Sequence, residues 1–230
     1  MMQDVDIRNM QVRWRSLVGS LGVAAAADDS VFVDLVARYE ANGEAEAASG
    51  RAYHNLTHIQ QVLQSADMVA EQAVDWTAVQ LAIWFHDVVY VPGAPDNEAQ
   101  SAHFARRLLQ SWQADESLIV PVEQLILATV LNSEASPHPD APIIQDADIA
   151  TLGWPPDDYR RYAQAIRREF AHVPEEAYRH GRSQILTYFL QQERLFRTDY
   201  FFARLEQQAR ANLQQELMEL HQKFMKRSTN

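Results

Sequence analysis

The sequence predicts an all-α protein with a helical-bundle core. Ala, Leu, Gln, Glu and Arg, which favour helices, are abundant, whereas only 7 Gly and 9 Pro occur in 230 residues. Strand patterns are weak throughout, and an apolar fraction of 47% is enough for a sizeable core. We expect a single domain over residues 1–230. Its core should lie at about 51–153, and a C-terminal helical extension at about 154–226.

Three helices are expected in the first 71 residues. The first covers residues 5–21. The second begins after Asp28-Asp29-Ser30, whose side-chain oxygens can cap a helix start, and a small polar loop over 42–50 follows it. The third covers about 55–71, where apolar residues recur at helical spacing. Its apolar stripe consists of Ile59, Val62, Leu63, Ala66 and Val69.

Three more helices are expected before residue 132. One begins at Asp75, a cap residue, and ends near Asp87. Its nearly continuous apolar character predicts burial on most sides. After a break at Val91-Pro92-Gly93-Ala94-Pro95, two further helices cover 96–111 and 116–131.

The remaining third of the chain is also expected to be helical. A loop over 132–141 and a short segment over 142–152 lead to helices that begin near Trp154, Pro174 and Thr198. In the last helix, apolar residues repeat every three or four positions, so that it should pack along its full length. These residues are Phe202, Leu205, Ala209, Leu213, Leu217 and Leu220.

Composition and charge exclude several classes of function. There is no Cys, which rules out disulfides, thiolate zinc sites and cysteine nucleophiles. A net charge of −11 argues against binding of a nucleic-acid polymer, because such binding depends on Lys and Arg. No apolar run approaches the ~18 residues of a membrane span, and residues 1–6 lack the apolar segment of a secretory signal. We therefore expect a cytoplasmic protein that makes no membrane contact.

A His, an adjacent His-Asp pair and a distant Asp together suggest a metal site. The pair His86-Asp87 ends an apolar helix, and His58 near the start of the preceding helix should lie at the same end of the hairpin. An anion at a helix C-terminus is unfavourable, so a buried His-Asp pair there favours a nearby cation. Asp148 could add a further carboxylate ligand. The alternative is that these are ordinary core or surface residues.

Longer strings around these residues resemble the HD-domain superfamily of metal-dependent phosphohydrolases, and in particular one bacterial branch of it. The resemblance runs from about residue 51 to 217. The strings are YHNLTHI (53–59), IWFHDVVY (83–90), DNEAQSA (96–102), DADIATLG (146–153), Gly181-Arg182 and EQQARANL (206–213).

The resemblance implies an all-α fold with a metal ion between its central helices. It implies that His58, His86, Asp87 and Asp148 are the metal ligands. His54 and Asp146 would orient those ligands through hydrogen bonds. One divalent ion is expected, with Mn, Mg, Co, Fe, Ni and Zn all compatible with the ligand types. The branch has a His shortly after its counterpart of Thr129, where this chain has Asn132, which argues for one ion rather than two.

Other residues are candidates for handling the substrate. Glu98, at a helix start after the His-Asp pair, would orient or deprotonate the attacking water, although helix capping explains it equally well. Arg51 is a candidate for a phosphate contact, although an ordinary surface arginine explains it nearly as well, and Arg167 and Arg182 are weaker candidates. Glu206 and Arg210 are four residues apart and predict a helix ion pair.

The sequence therefore predicts a metal-dependent phosphohydrolase. Its substrate would be a small phosphorylated metabolite, with nucleotides among the candidates, and it would be a monomer or homodimer. Two alternatives stay open: a metal-stabilised binding or regulatory protein without turnover, and a diiron oxygenase, which needs more His and carboxylate ligands.

Overall fold

The structure, a computed structural model, describes residues 6–22, 25–40, 50–131 and 136–225. Within these residues the regular structure consists of ten α-helices and two short 3-10 helices, with no strand, which confirms the all-α prediction. The first five helices are α1 (Ile7–Gly19), α2 (Ala25–Glu40), α3 (Leu56–Asp67), α4 (Trp76–Phe85) and α5 (Asn97–Ser111). The others are α6 (Glu116–Leu127), α7 (Ala141–Asp148), α8 (Pro156–Glu169), α9 (Glu175–Gln191) and α10 (Asp199–Met225).

Several boundaries differ from those predicted. Asp29 and Ser30 lie inside α2 and do not cap its start, and the Asp29 carboxylate instead accepts a hydrogen bond from Arg15 at 2.8 Å. The helix predicted over 55–71 ends at Asp67, and a 3-10 helix follows at Ala70–Gln72. Part of the loop predicted at 132–141 lies outside the described residues, since 132–135 are not among them.

Helix α4 lies at the centre of the protein, as its continuous apolar sequence predicts. It packs against α3, α5, α6 and α7, and every residue from Ala78 to Phe85 except Gln80 is buried. Trp14 of α1 packs edge-to-face on Trp84 and Phe85, with ring centroids 5.2 and 5.9 Å apart. Such aromatic pairs add about 0.5–1.5 kcal/mol each to the burial of their surface.

A buried carboxylate couples α4 to α7. Asp140, immediately before α7, accepts hydrogen bonds from the amides of Val74 and Asp75 at 2.9 and 2.8 Å. Asp75 in turn caps α4 by accepting from the Ala78 amide at 2.9 Å, as predicted for a cap residue. The two helices that end in candidate metal ligands are therefore fixed relative to each other.

Helix α10 packs against the second 3-10 helix, Ile149–Gly153, which directly follows α7. The Asn212 side-chain amide donates to the carbonyls of Leu152 and Trp154, both at 2.8 Å. Gly153 lies so close to α10 that an added Cβ would be 2.5 Å from the Cβ of Leu205 and 3.1 Å from its Cα.

Replacing Gly153 with Ala is expected to destabilise the protein by about 1–3 kcal/mol, because the new methyl group overlaps the backbone of α10. Gly181→Ala is the matched control. It lies within α9 with open space around it, and the change should raise stability by about 0.5–1 kcal/mol. Urea unfolding of both variants measures the difference. Equal stabilities would show that α10 does not pack this closely against the 3-10 helix.

No helix in the described ranges combines the length and the apolar character needed to cross a bilayer.

Candidate metal centre

Three helix ends bring His58, His86, Asp87 and Asp148 together, and we call these residues the His-Asp cluster. His58 lies in the first turn of α3, whose cap residue Asn55 accepts hydrogen bonds from the amides of Thr57 and His58. His86 and Asp87 directly follow α4, and Asp148 is the last residue of α7. The expectation that His58 and the His-Asp pair lie at the same end of a helical hairpin agrees with this arrangement.

The distances within the His-Asp cluster are short. Nε2 of His58 lies 3.4 Å from Nε2 of His86. Oδ1 of Asp148 is 3.1 Å from Nε2 of His58 and 3.5 Å from Nε2 of His86. Oδ2 of Asp87 is closer to His86: it lies 3.1 Å from Nε2 of His86 and 3.5 Å from Nε2 of His58. Each carboxylate oxygen thus lies close to both imidazoles.

These residues fit a divalent cation. The ligand atoms of His58, His86 and Asp148 all lie within 4.8 Å of one another, so this group could hold a metal ion. Nδ1 of His86 lies 2.9 Å from the carbonyl oxygen of Ile83, a contact that favours the proton on Nδ1 and leaves the Nε2 lone pair facing the cluster. In the described part of the chain, the buried Oδ2 of Asp87 accepts no hydrogen bond. An unpaired buried carboxylate oxygen is costly, and a cation between it and the imidazoles would remove that cost.

The electrostatics of the cluster agree with this geometry. Burial would lower the pKa of His86, but the negative charges of Asp87 and Asp148, whose carboxylate oxygens lie 3.1 and 3.5 Å from its Nε2 atom, raise that pKa well above its ordinary value. Burial would raise the pKa of Asp148, but hydrogen bonds to His58 and His86 hold it below its ordinary value. The pKa of Asp87 is likewise lowered: burial opposes ionisation, and the positive charges of His86 and His54 outweigh it. A positive charge inside the cluster, whether a proton or a metal ion, therefore stabilises it.

The metal-free protein should lose stability as the pH rises. The contribution of His86 is fully present below its ordinary pKa of 6.5 and is lost as the pH rises through its raised value in the folded protein. The contribution of the two carboxylates has the opposite sign: it is present above pH 3.8 and lost as the pH falls through their lowered pKa values.

Added divalent metal should remove the loss at high pH, because the metal replaces the proton and its binding releases that proton. We expect metal to raise the free energy of unfolding by at least about 1 kcal/mol at alkaline pH, and by less at acidic pH. Thermal unfolding with a chelator and with saturating Zn²⁺, across about pH 5–9, checks this. A metal effect that is independent of pH would contradict it.

Arg51 connects the two segments that carry the histidines. Its guanidinium donates to the carbonyls of Asp87 at 2.6 Å, Val88 at 3.1 Å and His54 at 3.1 Å. The guanidinium also lies over the rings of Tyr39 and Tyr90, at 5.1 and 5.6 Å. Arg51 thereby places a positive charge on carbonyls just past the C-terminus of α4, where cations are favourable. A phosphate contact would require it to release some of these carbonyls.

Glu169, at the end of α8, is a residue that the sequence analysis missed. It is fully buried and accepts from the amides of Tyr53 at 2.7 Å and His54 at 2.8 Å. Its second oxygen contacts Nδ1 of His54 at 2.7 Å and accepts from the Tyr90 hydroxyl at 2.9 Å. A sequence signal exists, because Glu169 continues the buried stripe of Tyr159, Tyr162 and Ile166 at helical spacing.

His54 is positioned by Glu169 and lies beside the cluster. Its ring stacks on Tyr90 with centroids 4.1 Å apart and lies 5.8 Å from the ring of His58. Burial lowers the pKa of His54, but the charge of Asp87 and the hydrogen bond to Glu169 raise it overall. Within the described ranges, no hydrogen bond joins the His54 side chain to a member of the cluster.

Asp146 lies on the metal-ligand helix but binds a different segment. It is fully buried, and its oxygens accept from the amides of Arg197 at 2.8 Å and Thr198 at 2.7 Å, and from the Thr198 hydroxyl at 2.7 Å. It therefore fixes the segment before α10 to α7, two residues away from Asp148.

The other candidates lie in different environments. Glu98 is half-buried in the first turn of α5 and makes no hydrogen bond or ion pair in the described part of the chain. Arg167 contacts Glu175, the carbonyl of Phe170 and the ring of Tyr178, and no contact among the described residues joins it to the cluster. Asn132 lies outside the described residues.

Two C-terminal side chains have structural partners. Arg182 is buried and donates to both oxygens of Glu216, at 2.8 and 3.0 Å. The predicted ion pair between Glu206 and Arg210 is present at 2.6 Å. Both arginines are therefore already paired with carboxylates.

Comparison with protein-family models, with curated proteins and with solved structures finds no significant match.

Proposed function

We propose that this protein is a metal-dependent phosphohydrolase acting on a small phosphorylated metabolite. One observation carries the proposal: the Nε2 atoms of His58 and His86 lie 3.4 Å apart, and one carboxylate oxygen each of Asp87 and Asp148 lies 3.1–3.5 Å from both of them. The resemblance of the surrounding strings to HD-domain phosphohydrolases supports the same function and the same four ligands.

A ligand set of two imidazoles and two carboxylates suits Mn, Mg, Co, Fe, Ni or Zn. The ligand atoms of His58, His86 and Asp148 all lie within 4.8 Å of one another, and a carboxylate oxygen of Asp87 lies close to both imidazoles, which supports one ion per chain. Such an ion, when bound, would lower the pKa of a water molecule and polarise a phosphoryl oxygen.

The remaining chemistry follows from the side chains. Attack of water on phosphorus forms one P–O bond and breaks the P–O bond to the leaving group, which takes up a proton as an alcohol. Phosphoryl transfer depends mainly on positioning and charge neutralisation, so that few further residues are required. Asp148 offers the substrate an approach, because 23% of its side chain is exposed while His58 and His86 are only 2% exposed. Glu98 and His54 are candidates for handling the protons.

A phosphatase screen tests the proposal. Purified protein is loaded in turn with Mn²⁺, Mg²⁺, Co²⁺ and Zn²⁺ and assayed for phosphate release from nucleotides and sugar phosphates. We expect metal-dependent release that Asp87→Ala lowers more than about 100-fold. Asp157→Ala is the control, because it removes a carboxylate whose side chain is 74% exposed on α8.

Three outcomes would contradict the proposal. Full activity of the Asp87→Ala variant would show that hydrolysis does not depend on a metal ion held by Asp87. Tight metal binding without phosphate release from any substrate would favour a metal-stabilised binding protein, and a diiron spectrum of the iron-loaded protein would favour an oxygenase.

A further inference from the structure

A small cleft lies beside Asp148. It has a volume of about 90 Å³, and its walls include Thr129, Gln145, Asp148, Tyr188, Gln192 and Arg197. At about 30 Å³ per water molecule, this volume corresponds to roughly three waters. The cleft is therefore of a size for one compact polar group, and too small for a complete nucleoside.

The segment that forms one wall of this cleft is held by two buried carboxylates. Glu206 accepts from the amides of Leu195 and Phe196, at 3.0 and 3.2 Å. Asp146 accepts from the next two amides, those of Arg197 and Thr198, at 2.8 and 2.7 Å. Four consecutive backbone amides are thus fixed by side chains from α7 and α10. Since Asp146 precedes Asp148 by two residues, the backbone of Arg197 is held in a fixed position relative to that candidate ligand.

Arg197 differs from the other arginine of the cleft. The guanidinium of Arg194 donates to Asp199 at 3.1 Å and lies 4.0 Å from the centre of the Phe202 ring. The guanidinium of Arg197 makes no hydrogen bond or ion pair in the part of the chain that the structure describes, and the residue is exposed. It is therefore available to bind an anion, whereas Arg194 is already engaged.

A positive charge at Arg197 would reduce the electrostatic repulsion between the protein and an anionic substrate. The protein carries a net charge of −11, and the cluster itself contributes two carboxylates. A phosphate dianion approaching Asp148 would meet repulsion unless positive charge is supplied near it. Arginine is well suited to this role, since its guanidinium can make two parallel hydrogen bonds to phosphate oxygens.

We propose that Arg197 binds the phosphate group of the substrate in this cleft, and that the site selects phosphate monoesters over diesters. This rests on the proposed function. A monoester presents a terminal phosphate that matches a cleft of about 90 Å³, and its second negative charge pairs with Arg197. A diester carries a second organic group at that position and only one negative charge.

The test compares Arg197→Ala and Arg197→Lys with the wild type and with a matched control, Arg204→Ala. Arg204 is an exposed arginine on α10 that donates to the Tyr200 carbonyl at 3.3 Å. Binding of inorganic phosphate to the Zn²⁺-loaded protein is measured by calorimetry. Hydrolysis of p-nitrophenyl phosphate and of bis(p-nitrophenyl) phosphate is measured in parallel, and metal content is checked in every variant.

We expect Arg197→Ala to weaken phosphate binding about 10- to 100-fold, as for loss of a charged hydrogen bond. The KM for the monoester should rise by a similar factor with a smaller change in kcat, while metal content stays the same. Arg197→Lys should recover part of the loss, and Arg204→Ala should resemble the wild type. The wild type should hydrolyse the monoester faster than the diester.

The inference and the proposed function fail in different ways. Unchanged phosphate affinity and KM in the Arg197→Ala variant, or a wild type that prefers the diester, would overturn the inference and leave the phosphohydrolase intact. A wild type that releases no phosphate would overturn the function, and calorimetry would then decide separately whether Arg197 binds phosphate. A wild type that binds no phosphate would overturn the inference as well.

Discussion

Replacing His86 with Ala is expected to lower the affinity for divalent cations more than about 100-fold. Substitutions of residues that only support metal ligands typically cost 10- to 100-fold, so loss of a direct ligand should cost at least as much. The Nε2 atom of His86 lies 3.1–3.5 Å from the ligand atoms of the other three cluster residues, and its removal opens the cluster on one side. Calorimetric titration with Zn²⁺ and Mn²⁺ measures the change.

His103→Ala is the control, because His103 is exposed on α5. Circular dichroism establishes that both variants are folded. Asp148→Asn is a second, milder variant that preserves the size of the side chain and removes its charge. If both the His86 and the Asp148 variants kept wild-type affinity, the cluster would not be the metal site.

Replacing Glu169 with Ala is expected to lower the free energy of unfolding by about 3–5 kcal/mol, the cost of breaking a buried charged pair. The carboxylate is fully buried and has four partners, so its loss leaves the amides of Tyr53 and His54 and the Tyr90 hydroxyl without an acceptor. Urea unfolding measures the loss. Glu169→Gln should cost less, because its side-chain oxygen can still accept from the two amides.

Glu175→Ala provides a matched control on the next helix. Its carboxylate forms an ion pair with Arg167 with 46% of its side chain exposed, and such surface pairs contribute only about 0–1 kcal/mol. Similar losses for the Glu169 and Glu175 variants would show that the buried network does not hold the segment before α3 in place. Because Tyr53 packs on His58, with ring centroids 4.7 Å apart, the Glu169 variant should also bind metal more weakly.

The sequence predicted the features that depend on local pattern. The continuous apolar run of α4 predicted a buried helix, and Asp75 predicted its start. The short connection between the two helices predicted that His58 and His86 would lie at one end of a hairpin. These predictions succeeded because helix periodicity and short connections act over a few residues.

Features that depend on long-range contacts were missed. The partner of His54 is Glu169, which is 115 residues away in the chain. The contact between Asp146 and Arg197 spans 51 residues, so the composition of either segment does not reveal it.

One local prediction was also wrong. Asp28-Asp29-Ser30 was predicted to cap a helix, but α2 begins at Ala25. A local capping preference there is outweighed by the longer helix.

The most direct measurement is the anomalous diffraction of crystals grown with Zn²⁺. We predict one strong peak per chain, about 2.0–2.2 Å from Nε2 of His58 and of His86 and from a carboxylate oxygen of Asp87 and of Asp148. A map with no peak between these four side chains, at a Zn²⁺ concentration that saturates the protein in solution, would contradict it.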